Sequence, residues 1–407
     1  WLPNFHNKIK ISEEEAIEET TRLLRESTRL RMISEVPLGA FLSGGVDSST
    51  VVALMAQESS TPVKTFSIGF EEEDFSELKY ARMVAEHVGA EYNEFVVKPN
   101  ALEILPTLVD HYGEPYADSS AIPTYYVSKE TRQHVTVALN GDGGDESFVG
   151  YERYQAMRVA EKYHRIPALV RKPLIEFPAR LVPTSELKRS RVRDVKRFLN
   201  AASLPRVERY FRWNSAFDRQ SKADLYTAEF SHEIDSADAS RFLSQWFATA
   251  NGSGIIDTTM LVDQMTYLPN DLLVKVDIAA MANSLECRSP FLDHNVIEFA
   301  ASLPESIKFN GVDTKSFLKK VAARLVPKEA IYRRKMGFGV PVGKWFRGEM
   351  RDFVREILLS DSAMKRGIVK PEMLRKYVVE HTEGERDHAF RIWALLMLEL
   401  WYQRFID

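Results

Sequence analysis

The sequence predicts an α/β protein: a parallel sheet sandwiched by helices, followed by a mostly helical C-terminal half. Three observations lead there. Between residues 34 and 155, short apolar runs alternate with stretches of helical period, which is the rhythm of strand–helix–strand units. Two of the apolar runs feed directly into glycine-rich turns, as strands do where an open parallel sheet binds a ligand. After about residue 155 strand signals become few, and a pattern rich in Arg and Leu at helical spacing takes over. The division adopted is 1–33 for a linker and leading helix, 34–155 for the α/β core and 156–407 for a helical part of the same domain.

Taken in order, residues 1–11 read as an incoming linker. Ser12 followed by Glu15 is a capping-box signature for a helix over 12–33, with acidic residues at its start and arginines at its end. Ile17, Leu23, Leu24 and Leu30 are its expected core contacts. Residues Val36–Leu42 form the first expected strand, Ser48–Gln57 an apolar helix and Val63–Phe70 the second strand. Ser76–Val88 is helical because Leu78, Ala81, Val84, Ala85 and Val88 repeat at helical spacing, and Gly89 ends it. Glu94–Val97 is the third strand, Leu102–Tyr112 and Thr124–Arg132 are helices, and Val135–Leu139 is the fourth strand. The basic run Lys188–Arg197 reads as a solvated helix face.

Composition narrows the class. The 407 residues are 44% hydrophobic and 28% charged, with a net charge of −4, which excludes both a disordered chain and a generally nucleic-acid-coating one. The single cysteine, Cys287, allows no internal disulfide and no cysteine zinc site, so a reducing cytoplasm is the expected compartment. It reads as a small buried residue rather than a nucleophile. No apolar run reaches the roughly 18–20 residues that span a bilayer. The chain begins with Trp1 and carries no signal-peptide pattern, so it is expected to be part of a longer protein.

The sharpest chemical signal is Leu42-Ser43-Gly44-Gly45-Val46-Asp47-Ser48-Ser49, between a strand and a helix. Glycines let backbone approach an anion, and a helix start offers free N–H groups and the positive end of a dipole. Ser43, Ser48 and Ser49 add hydroxyls. Asp47 suits such a site only if a divalent cation bridges it to phosphate oxygens, as Mg²⁺ does. The lysine of the common kinase loop is absent, so the run reads as a pyrophosphate cradle of another kind. A second loop, Asn140-Gly141-Asp142-Gly143-Gly144-Asp145-Glu146, also follows a strand. Its acids can hold Mg²⁺ while its glycines expose N–H groups, and its spacing does not fit an EF-hand. Two such loops at neighbouring strand ends could share one metal.

Ser43–Ser48 is the motif of the ATP pyrophosphatase (PP-loop) enzymes, and the wider chain resembles the synthetase domain of glutamine-dependent asparagine synthetase, B type. The resemblance is carried by Val36–Gly39, Thr65–Phe70, Asp118–Thr124, Gly141–Glu146, Ser284–Asp293 and Lys335–Pro341, spanning about residues 30 to 350. It implies a five-stranded sheet of the adenine nucleotide alpha hydrolase type. It also implies a reaction in which aspartate attacks ATP to give β-aspartyl-AMP and pyrophosphate, after which ammonia releases asparagine and AMP. On this resemblance Ser43, Gly44, Gly45, Ser48 and Ser49 hold the pyrophosphate portion of ATP, and Asp47 and Asp145 hold Mg²⁺. Leu42, Ile68, Asn140 and Gly141 belong to the nucleotide site. Asp142 stands at a position tied to adenylate formation that is usually Glu. Lys335 matches a lysine near the phosphates, where charge develops on the α-phosphoryl group. Asp118, Ser119 and Ser120 are candidates for the acceptor pocket, with Arg288. Glu286 could orient ammonia or substrate, or pair with Arg288.

The family's N-terminal glutaminase domain has no counterpart in these residues, and Trp1-Leu2-Pro3 looks like the linker that follows it. Ammonia is therefore expected from such a domain upstream or in a separate chain. No nucleic-acid or membrane partner is expected, and a homodimer is compatible with the resemblance. Three rivals share the scaffold: an amidotransferase acting on another carboxylate such as a cell-surface saccharide, a cyclase, and an inactive nucleotide-binding regulatory module. The intact Gly141–Glu146 run favours an ammonia user over a cyclase. An RNA-modifying relative is disfavoured by the net charge and the lack of a basic appendage.

Overall fold

The computed structural model describes residues 1–70, 77–97, 101–171, 177, 191–234, 239–250, 252–333 and 339–407. Its centre is a five-stranded, wholly parallel sheet of order β3-β2-β1-β4-β5. The strands are β1 (Leu38–Phe41), β2 (Lys64–Phe70), β3 (Glu91–Val97), β4 (Val137–Leu139) and β5 (Glu286–Arg288). Register runs through Gly39, opposite Lys64 on one side and Ala138 on the other, and through Val137 opposite Glu286.

Side chains alternate across the sheet as the pleat requires. Ala40, Leu42, Val137 and Leu139 enter the core beneath α1 (Glu13–Arg31) and α2 (Val46–Glu58), joined by Ala81, Val84 and Ala85 of α3 (Leu78–Val88). Phe41, Phe66, Ala138 and Cys287 face the opposite layer. That layer includes α5 (Ala121–Arg132) and helix Leu273–Met281. Both faces are therefore covered, which is why the central strands read as nearly continuous apolar runs. A second large core joins α4 (Ala101–Tyr112) to the C-terminal helix Ala389–Phe405, around Phe346, Ile392 and Trp393.

The four strands expected before residue 155 all form. The fifth comes from Glu286–Arg288, in the half read as helical. Three residues flanked by a helix and Ser-Pro carry too little periodicity to reveal it. The capping box at Ser12 forms as expected, and its reciprocal bonds start α1 at Glu13. Ile17 and Leu24 enter the core and Leu23 packs against it, but Leu30 is 46% exposed. Ser27 and Thr28 take the inward positions on that turn: Ser27 donates to the Pro290 carbonyl at 2.8 Å. Ser76 and most of the Lys188–Arg197 run lie outside the described residues or have side chains that do. Among the described residues no helix is long and apolar enough to cross a membrane.

The sheet order places the reversal of connection between β1 and β4: from β1 the chain winds outward to β2 and β3, and only later returns to β4 beside β1. Ligands bind beyond the carboxyl ends of strands at such a switch point. Both glycine loops sit there.

Candidate nucleotide and acceptor site

The first loop turns from β1 into α2. Gly45 is the helix N-cap and supplies no side-chain cap, so the first-turn N–H groups are left for a ligand. Ser43 and Ser48 brace the turn: the Ser43 N–H donates to Ser48 Oγ at 3.2 Å, and the two hydroxyls lie 3.0 Å apart. Leu42 contributes its backbone, bonded to the Phe66 carbonyl and to Ser67 Oγ, while its side chain is buried in the core. Ser49 is likewise fully buried. Ile68 is half-buried near the end of β2, opposite Phe95.

The second loop presses directly onto the first. A Cβ on Gly144 would lie 2.4 Å from Asp47 Oδ1, and one on Gly141 would lie 2.6 Å from Asp47 Cβ. Only hydrogen fits at that approach, which is the physical content of the glycine repeat. Asn140 steadies the turn by donating from Nδ2 to Asp142 Oδ2 at 2.7 Å. Asp145, on the short helical turn α6 (Gly144–Ser147), points to the same place as Asp47.

What the two carboxylates share is the ammonium of Lys315, which pairs with Asp47 and with Asp145 Oδ1, the latter at 2.8 Å. Lys315 is only 4% exposed. Burial alone would depress its basicity, but Asp145 and Asp47 outweigh it and hold the amine well above its ordinary range. Two carboxylates converging on one cation at a helix N-terminus match how proteins hold Mg²⁺, with substrate phosphates completing the shell. Gly150 closes the arrangement. A Cβ there would lie 1.9 Å from Asp145 Oδ1 and 2.5 Å from Lys315 Cε. Gly150→Ala is expected to cost about 1–3 kcal/mol of stability by overpacking, read by chemical denaturation.

A second polar group lies between α5 and helix Leu273–Met281. Lys275 Nζ donates to Ser120 Oγ at 2.9 Å and to Asp118 Oδ2 at 3.2 Å. Asp118 also accepts from the Ser120 amide at 2.9 Å. Burial pushes the Asp118 carboxyl up, but Lys275 and Ser120 prevail and hold it below its usual range. Asp271 sits beside this set. It accepts from the Tyr116 hydroxyl at 2.7 Å, and burial raises its carboxyl. The segment Leu268–Leu272 is a π-helical turn running into helix Leu273–Met281, a local widening common where helices carry functional groups. Ser119 is buried beside Ser120.

Asp142 lies within the fields of both groups. Burial pushes its carboxyl up to about 6, with Asp47 and Asp145 adding to the shift and Lys275 opposing it. A folded state that holds this proton more tightly than the unfolded chain gains stability below about pH 4. That gain is lost as the pH rises through about 6. Asp142→Asn is expected to flatten this window, worth about 2–3 kcal/mol, in denaturation midpoints measured from pH 4 to 7.

The family model described as asparagine synthase matches residues 19–403. The chain belongs to the asparagine synthase family. It is 32% identical over 395 residues to asparagine synthetase [glutamine-hydrolyzing] 1 of Bacillus subtilis, covering 97% of this chain and 60% of that protein. A putative asparagine synthetase [glutamine-hydrolyzing] of Mycobacterium tuberculosis is also 32% identical, covering 96% of this chain and 58% of its own length. A Penicillium rubens protein named as an amidase is 24% identical, over 88% of this chain and 57% of its own. The chain thus spans about three fifths of the length of these relatives.

Within the family frame, not every expected site residue joins the cluster. Glu286 is exposed and accepts from Arg288 Nε at 2.6 Å. Arg288 also donates to the Arg31 and Ile33 carbonyls at 3.0 and 2.8 Å, tying β5 to the end of α1. The described side-chain contacts of this pair run to each other and to that helix end. Cys287 packs among Phe66, Val135 and Leu285, and burial pushes its thiol well up. Lys335 lies outside the described residues. Arg333, two positions before it in sequence, donates to the Gly44 carbonyl at 3.2 Å and pairs with Glu77 at 2.5 Å.

The sequence reading missed Lys315, Lys275 and Arg333. Lys315 stands out only in the structure. It is the N-cap of helix Ser316–Ala322, in the left-handed region at φ +54°, and a cation there opposes the helix dipole. A residue that breaks a local rule at a helix start is a candidate for function. Lys275 did leave a sequence signal, since it and Asp277 are the charges within the apolar stretch 272–281.

Proposed function

We propose that the chain catalyses ATP-dependent amide synthesis, converting aspartate, ATP and ammonia to asparagine, AMP and pyrophosphate through β-aspartyl-AMP. The observation that carries this reading is the convergence of Asp47 and Asp145 on one cationic position at the uncapped start of α2, inside a chain of this family. The first-turn N–H groups of α2, with Ser43 and Ser48, would bind the β- and γ-phosphates. Asp47 and Asp145 would hold Mg²⁺. When bound, the ion neutralises charge on the departing pyrophosphate. Leu42, Ile68 and the Asn140–Gly141 turn would bound the adenosine. Lys335 would meet charge developing on the α-phosphoryl group. Asp142 would face the reacting carboxylate, its raised affinity for a proton limiting repulsion there.

The acceptor set supports an amino acid over a saccharide. Lys275 with Ser120 offers a cation and a hydroxyl to a carboxylate, while Asp118 and Asp271 offer anions to an ammonium. A zwitterion is matched by such a pair of opposite charges, whereas an acidic saccharide without an ammonium leaves the two aspartates unmatched. Ammonia would come from free solution or from a glutaminase domain. The amidase-named relatives keep open a different carboxylate acceptor.

The test is pyrophosphate release from MgATP and ammonium, with and without L-aspartate. Aspartate-dependent release with asparagine formation is the expected result. Release that ignores aspartate but follows another carboxylate would transfer the reading to a different amidotransferase. ATP binding with no release on any carboxylate would indicate a regulatory module.

A further inference from the structure

Residues 1–11 do not behave as a plain linker. Phe5 is 2% exposed, buried with Val149, Tyr154, Met260 and Phe309. Lys8 donates to the Ala301 carbonyl at 2.6 Å and pairs with Asp257 at 2.8 Å. The fully buried Lys308 pairs with the same Asp257 at 2.5 Å. Both ammonium groups lie over the Phe5 ring, 5.3 and 5.1 Å from its centroid. The Ile9 N–H donates to the Ser302 carbonyl at 3.0 Å. An aromatic ring and a shared carboxylate therefore strap this segment to the helical half.

The strap touches the nucleotide site by two short routes. Val149, in the same buried cluster as Phe5, sits in the left-handed region at φ +55°, which a β-branched residue adopts only when its surroundings impose it. Its carbonyl accepts from the Lys315 N–H at 3.0 Å. On the other side, the Lys308 carbonyl accepts from Ser316 Oγ at 3.3 Å, and the Asn310 N–H donates to the same hydroxyl at 3.0 Å. Lys315 is thus gripped from before and after while its own backbone is left-handed. Its ammonium position between Asp47 and Asp145 depends on that grip.

We propose that Phe5 is a positioning residue for the phosphate site, holding Lys315 in place through Val149, so that the segment entering the domain is coupled to the nucleotide loops. This rests on the function proposed above. The physical logic is that two residues in a disfavoured backbone conformation relax unless packing over-determines them. Phe5 belongs to the buried cluster that encloses the first of them, and the Lys8–Asp257–Lys308 set fixes the carbonyl to which Ser316, next to the second, is bonded.

The experiment is a double-mutant cycle on the full 407-residue chain, with MgATP binding measured by titration calorimetry and unfolding temperature measured without nucleotide. The variants are Phe5→Ala, Lys315→Met and the pair, with Phe5→Leu as the conservative rescue. Phe5→Ala is expected to weaken MgATP binding about tenfold in the parent chain and by less than about twofold when Lys315 is already Met, within the couplings seen between linked residues. Phe5→Leu is expected to restore binding. Equal factors in both backgrounds would overturn the proposal, as would a lowered unfolding temperature with unchanged binding. Should Phe5→Ala not fold, Lys8→Met replaces it in the same cycle with the same two outcomes. A parent chain that fails to bind MgATP overturns the function reading and this inference with it. A parent that binds, with an additive cycle, overturns this inference alone.

Discussion

Asp47→Asn is expected to lower aspartate-dependent pyrophosphate release by roughly 10³-fold, equivalent to about 4 kcal/mol of lost transition-state stabilisation. Asparagine keeps the volume of the side chain, so the tight approach of Gly144 to Asp47 is undisturbed. Lys315 keeps its pairing with Asp145 at 2.8 Å, so the fold retains a buried ion pair. What changes is charge: one of two carboxylates able to hold a divalent cation becomes a neutral amide. The unfolding temperature should therefore move by only a few degrees while the rate collapses. The apparent Mg²⁺ requirement should also rise, because the remaining ligand binds the ion more weakly. Release at the parental rate in this variant would remove Asp47 from the metal site and with it the shared-cation reading of the two loops.

The parts of this molecule that were legible in sequence are those whose chemistry is local. The capping box at Ser12, the strands of the core and the glycine loops at 42–49 and 140–146 all announce themselves within a few residues, and the structure realises each. That Asp47 and Asp145 share one position follows from two neighbouring strand ends, and the sheet order places β1 beside β4. The parts that were not legible depend on distant pairings. Strand β5 is three residues long and joins a strand about 150 positions earlier, so no periodicity marks it. Lys315 reaches Asp47 across a separation of 268 residues. Lys275 reaches Asp118 across 157. For Lys275 the sequence trace is a lysine inside a largely apolar helix, whereas the left-handed N-cap at Lys315 appears only in the structure. The motif-based reading spent its attention on acids and glycines and passed over the buried cations that balance them. Glu286 was open to two readings, orienting ammonia or substrate and pairing with Arg288, and its described bond is the pair with Arg288.

Lys315→Met should separate the metal-free and metal-bound states of the site. In the parent chain the ammonium of Lys315 lies between Asp47 and Asp145, so the two carboxylates are never left facing each other alone. Removing the cation from a mostly buried set leaves uncompensated charge, a change that costs about 3 kcal/mol without Mg²⁺ at neutral pH. Lowering the pH should recover part of that loss, because one carboxylate can then take a proton in place of the missing ammonium. Added Mg²⁺ should recover more. The ion would meet two carboxylates with no resident cation to displace, so the rise in unfolding temperature on adding Mg²⁺ should be larger in Lys315→Met than in the parent. Ammonium and Mg²⁺ compete for the same oxygens under this reading, and the sign of that difference is its signature. Equal stabilisation of both chains by Mg²⁺ would mean that the ion binds elsewhere. Nucleotide adds a separate reading: once Mg²⁺ has taken its place between Asp47 and Asp145, Lys315 would turn to the phosphates, so the variant should bind Mg²⁺ alone more tightly yet bind MgATP more weakly and turn over more slowly.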